Sequence, residues 1–123
     1  MPERHLPLEE VFNQWYREKD GIAKFFRERN KQAALEPMKK QIANFLDGLF
    51  EINNLQINSK DKITVQVDKL EIKPINSKDR LSFMIESPNH YHSFIQLTEL
   101  FEELEKQYRK LLAIEQSKTR ITD

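Results

Sequence analysis

Two histidines, His90 and His92, stand two residues apart in Ser87-Pro88-Asn89-His90-Tyr91-His92, with Arg80 and Tyr91 close by in sequence. Imidazole, guanidinium and phenol together could hold a metal, move a proton or grip an anion. The spacing argues against a metal. Residues two apart on a helix do not share a face, so both imidazoles reach one ion only if the first helical turn is irregular. The third histidine, His5, is expected in an N-terminal tail. No metal and no cofactor is therefore expected. Arg80, His90, Tyr91 and His92 stand as a candidate binding group, against the plainer reading that Arg80 and Tyr91 tie two helices together.

Two other groups carry chemistry. Glu99, Glu102, Glu103 and Glu105 place carboxylates three and four apart, as an acid–base pair would require. Such a pair also needs one carboxyl in an apolar pocket to raise its pKa. Opposite an apolar seam, a solvated face with Glu102–Lys106 and Glu105–Arg109 ion pairs is the better expectation. Residues 17–40 carry a local net charge of +4, and Lys24, Arg27 and Lys31 are expected on one helix face, where they could meet phosphates. The whole chain has net charge +0 and a pI near 6.9, which argues against a dedicated nucleic-acid binder.

Composition narrows the rest. Only two glycines are present and there is no cysteine. Glycine-rich phosphate loops, disulfides, thiolate metal sites and cysteine nucleophiles are excluded. No secretory signal or membrane span is visible, and a cytoplasmic location is expected. Leu, Ile, Val and Phe make up 35 of the 123 residues, enough for a packed core, and the length suits one domain.

The elements that must position these side chains read as helices. Leu8, Val11, Phe12 and Trp15 mark one helical face. Asp20-Gly21 predicts a break, with a second helix from Ile22 to about Leu35. Pro37 predicts a new start, and Met38, Ile42, Phe45, Leu46 and Leu49 carry that helix to Ile52 before Asn53-Asn54 stops it. Residues 55–73 predict an irregular connector with a short helical turn, although Ile63, Val65 and Val67 alternate as a strand would. Asn76 to Asp79 resembles a capping box, and the near-repeat at Ile57–Asp61 is read as chance reuse. Ser87 is expected to cap a long helix opened by Pro88, with Phe94, Leu97, Phe101, Leu104, Tyr108 and Leu111 as its seam and its end near Gln116. The fold class is all-α: four to five helices in one bundle with a long C-terminal helix.

Lys73-Pro74, Asn76, Arg80-Leu81, Phe83, Ser87 to His92 and Gln96-Leu97 together resemble the C-terminal signature of the YpoC-like proteins, small helical proteins of Bacillus and its relatives. Asp79 stands where that pattern has Glu. The resemblance is best over 73–108 and implies a helical fold, with no activity attached. The expected function is a non-catalytic adaptor that binds another protein. The alternative is a nucleic-acid-associated accessory factor using the basic stretch 17–40.

Overall fold

The computed structural model describes the backbone of residues 2–122 and the side chains of residues 7–118. Its five helices are α1 (Pro2–Arg27), α2 (Lys31–Ile52), α3 (Ile63–Asp68), α4 (Ser77–Glu86) and α5 (Tyr91–Thr122), and no strand occurs among the described residues. The all-α expectation holds.

Helix α1 passes through Gly21 without a break. Trp15 and Ile22 are each 1% exposed on either side of the glycine, so burial holds the chain helical across a residue of poor propensity. The turn comes instead at residues 28–30. The Asn30 N–H bonds to Phe25 O and the Arg29 N–H to Phe26 O, with Arg29 left-handed at φ 56°. This is a Schellman ending with arginine where glycine is easiest. Asn30 then caps α2, its side chain accepting from the Ala33 N–H at 3.1 Å. The cap sets the start of α2, so Pro37 lies inside the helix rather than at its head. Ala34 and Met38, one turn apart and both fully buried, keep the chain helical through the proline. Helix α2 ends at Asn53-Asn54 as expected, in a second Schellman pattern: Leu55 N–H to Phe50 O, Asn54 N–H to Glu51 O, φ 57° at Asn54.

Helices α1 and α2 pack closely. Gly48 faces Val11 with no room for a methyl group, and the Asn44 amide donates to Val11 O at 2.9 Å. Helix α5 lies across both. Phe94, Leu97, Leu100, Phe101, Leu104 and Tyr108 are buried, Trp15 stacks on Phe101 at 4.6 Å, and Phe45 meets Phe101 edge-on at 5.2 Å. The seam read from spacing is thus core from Phe94 to Tyr108, with Leu111 half-buried against it. The backbone of α5 runs on to Thr122, beyond the expected end at Gln116.

The connector holds one short helix, α3, which buries Val67. Asn53 substitutes for a strand partner: its amide exchanges two hydrogen bonds with the Ile72 backbone, at 2.8 and 2.9 Å. The two near-repeats differ in structure. The Asn58 side chain accepts from the Lys60 N–H, while Asn76 is left-handed and makes no capping bond. The expected capping box is therefore absent. Ser77 turns its hydroxyl to Pro74 O instead.

Candidate functional site

The turn between α4 and α5 brings the candidate residues together in an arrangement spacing did not predict. Ser87 is the C-cap of α4: its N–H bonds to Phe83 O, and its carbonyl accepts from the His90 N–H and the Ser93 hydroxyl. Ser87 is therefore not the N-cap of the long helix, and Pro88 does not open it. His90 takes that place. Its carbonyl accepts from Ser93 and Phe94, and its Nδ1 accepts from the His92 N–H at 3.1 Å. An imidazole nitrogen does the work usually given to a Ser, Asp or Asn oxygen. That role requires a neutral ring with Nδ1 free of hydrogen.

Because His90 lies outside the helix, the rule for residues two apart does not separate the rings. Phe83, on α4, stands edge-on to both: its centroid is 5.7 Å from His90 and 5.2 Å from His92. All three side chains face solvent. They form one outward cluster, phenyl between two imidazoles. Tyr91 points the other way, packing on Phe26 at 5.6 Å and Phe94 at 6.2 Å. The four candidates therefore divide between two faces of one turn.

Arg80 lies beside this cluster with its donors engaged. Nε bonds to Gln96 at 2.8 Å, one terminal nitrogen to Ile75 O and Glu103 at 3.0 Å each, and the other to Glu103 at 2.7 Å. Glu99 stands 3.6 Å away. The side chain is only 14% exposed. The two-point grip on Glu103 fixes α4 against α5, and makes Arg80 a positioning residue. Arg80, Phe83 and His92 line a shallow groove of about 430 Å³ with Asn76, Asp79 and Gln96. Arg80 and His92 thus converge, but the guanidinium is already satisfied.

The remaining candidates fall elsewhere. Of the two expected ion pairs, Glu105–Arg109 forms at 3.2 Å; Glu105 also accepts from the Tyr16 hydroxyl, and Glu103 pairs with Arg80. The expected Glu102–Lys106 pair does not form among the described residues. Burial and the Glu105 carboxylate push the Tyr16 phenol up to about 12. Lys24, Arg27 and Lys31 do not share one helix face, since Lys24 and Arg27 end α1 while Lys31 begins α2. They gather around the α1–α2 turn. The backbone at His5 belongs to α1 rather than a tail, and its side chain lies outside the described residues. No group of three or more metal-ligating side chains converges among the described residues, and none of their helices is long and apolar enough to cross a membrane.

Sequence reasoning missed Phe83 as the ring joining the histidines, and Gln96 and Glu103 as the partners of Arg80. Phe83 and Gln96 both belong to the signature around Arg80, which was the available signal. Glu103 gave none beyond its place in an acidic run.

The comparisons bear out the family resemblance. Residues 5–116 match the YpoC-like protein family. The Bacillus subtilis (strain 168) protein named "Uncharacterized protein YpoC" is 30% identical over 111 residues, spanning 90% of this chain and 66% of that relative. No solved structure matches the chain. With nearly its whole length matched, the chain belongs to the YpoC-like family.

Proposed function

We propose that this chain is a cytoplasmic, non-catalytic adaptor, a single helical domain that binds another protein through the face where α4 meets the start of α5. The observation that carries this reading is Phe83, 39% exposed with an imidazole edge-on at either side. Aromatic rings at the surface are the residues that anchor protein interfaces, because they bury much area with little loss of side-chain freedom. Arg80, locked to Glu103 and Gln96, holds the face rigid before any partner arrives, which lowers the cost of association. His90, capping α5, fixes the turn.

The test is a photo-crosslinking amino acid placed at position 83 in the full chain in cells, with a second at exposed Ile114 as control. The reading expects one protein joined at 83 and absent at 114. It further expects the purified partner to bind the parent chain and to lose binding to Phe83→Ala. Equal crosslinking at both positions, or binding unchanged by Phe83→Ala, contradicts it.

A further inference from the structure

The far side of the same turn carries a different surface. Lys24, Arg27, Arg29 and Lys31 are all exposed, and none of them forms an ion pair among the described residues. Some exposed cations elsewhere pair, as Arg17 with Glu10, Lys39 with Glu36 and Arg109 with Glu9, while others, such as Lys40, Lys106 and Lys110, stand singly among the described residues. Four exposed, unpaired cations thus fall within the eight residues 24–31, with Glu28 the one acidic residue among them. The turn that holds them is joined to the α4–α5 turn, where the Asn89 amide reaches Lys31 O at 3.4 Å. Tyr91 stands at this junction, seated on Phe26 and Phe94 yet 55% exposed. Its ring is therefore held in place with much of its surface open. Arg29 adds a further observation. It occupies the left-handed position of the Schellman turn, which glycine fills without strain, so an arginine is kept at the tip against backbone preference. Helices α2 and α5 open at this end while α1 and α4 finish there, so the helix fields largely offset and the side chains carry the charge.

We infer that this end of the molecule binds single-stranded nucleic acid, with Lys24, Arg27, Arg29 and Lys31 against the phosphates and a base stacked on Tyr91. Cations beside a rigidly seated, open aromatic ring are what an unpaired strand needs: phosphate neutralisation along its backbone and a platform for a splayed base. A duplex hides its base faces and would leave Tyr91 unused. An acidic protein segment would use the charges and likewise leave the ring without a stacking partner. Local charge does this in a chain of zero net charge, so binding is short in footprint and sensitive to salt.

The test is fluorescence anisotropy of the full chain with end-labelled, mixed-sequence single-stranded DNA and RNA at low and rising salt, with the matching duplex and polyglutamate as competitors. Single strands should bind in preference to duplex. Substituting Lys24, Arg27, Arg29 and Lys31 together should flatten the log–log salt dependence by about 3, from roughly 0.7 per phosphate contact on single strands. Tyr91→Ala should weaken binding at least about fivefold at constant salt slope. Arg29→Gly should weaken binding while raising the melting temperature, a pairing that no purely structural role produces. Lys106→Ala with Lys110→Ala, cations on the exposed side of α5, should change nothing. Circular dichroism establishes that each variant is folded. Absence of single-strand binding at low salt, polyglutamate competing as well as the strand, or indifference to both the basic substitutions and Tyr91→Ala overturns the inference.

Discussion

The Nδ1 of His90 accepts a hydrogen bond from the backbone N–H of His92, 3.1 Å away, and so closes the N-terminus of the longest helix in the molecule. The two histidines are linked as cap and capped residue rather than as ligand pair. His90→Ala should then cost about 1 kcal/mol of folding stability, the ordinary value of an N-cap, and His90→Asn should restore most of it. Ser87→Ala should cost less than about 0.5 kcal/mol, as expected for a residue whose structural bonds are made by its backbone. Urea denaturation of the three variants decides. Equal losses at 87 and 90 would show that the imidazole is not the cap.

The two glycines should respond in opposite directions to alanine. Gly21 has nothing within 4 Å of where a Cβ would stand, and it lies in the interior of α1. Gly21→Ala should stabilise by about 1 kcal/mol through helix propensity alone. At Gly48 a Cβ would lie 2.8 Å from Cγ1 of Val11, a stiff β-branched side chain. Gly48→Ala should destabilise by about 1–3 kcal/mol as α1 and α2 are forced apart. Thermal melts of both variants check this, and a shift of the same sign in each would mean the close approach is absent.

Arg80 should matter for folding through geometry as well as charge. Arg80→Lys keeps the charge but loses the two-point contact with Glu103 and the bond to Gln96. A loss of about 1.5–3 kcal/mol is expected, the range for hydrogen bonds to charged groups. A double-mutant cycle with Glu103→Gln should show coupling of at least about 0.5 kcal/mol, whereas strict additivity would mean the pair does not hold α4 to α5.

Tyr16 and Tyr108 predict an alkaline limit. Burial comes first for both, followed by hydrogen bonds to Glu105 and Glu9, and together these push each phenol from 10 to about 12. The folded chain therefore holds protons that the unfolded chain has released. The stability from these groups is complete below pH 10 and is lost as pH rises through about 12. Denaturant midpoints measured across that window should fall, and phenolate absorbance should show two tyrosines ionising late. Ionisation of Tyr16 and Tyr108 near pH 10 would contradict the two contacts.

Much of this architecture is legible in the residues, for identifiable reasons. Where burial sets the pattern, as along Phe94 to Tyr108 or Leu8 to Trp15, apolar spacing predicts the helix and its inner face. Where local signals compete with burial, burial wins. Gly21 and Pro37 look like breaks, yet Ile22 and Met38 are too deeply packed for the chain to bend there. Caps fail for another reason. Ser87-Pro88 carries every sign of a helix start, but Ser87 already ends α4, and nothing in a single sequence announces a histidine as the N-cap. The candidate site was half visible. Arg80 and His92 do share a groove, whereas their bridging partners, Phe83 and Glu103, depend on the register between α4 and α5, which spacing along one helix does not contain.

The claim that the α4–α5 face is kept for a partner is tested most directly by Phe83→Ala, followed in parallel for folding and for binding to the protein crosslinked at that position. The ring is 39% exposed, stands edge-on to two exposed imidazoles and lies outside the buried core cluster. Removing it should cost less than about 1 kcal/mol of stability, far from the 3–5 kcal/mol of a buried phenylalanine, and should weaken partner binding by at least tenfold, the mark of an interface anchor. A loss of several kcal/mol in folding with partner affinity unchanged would contradict the account, and would make Phe83 packing rather than interface.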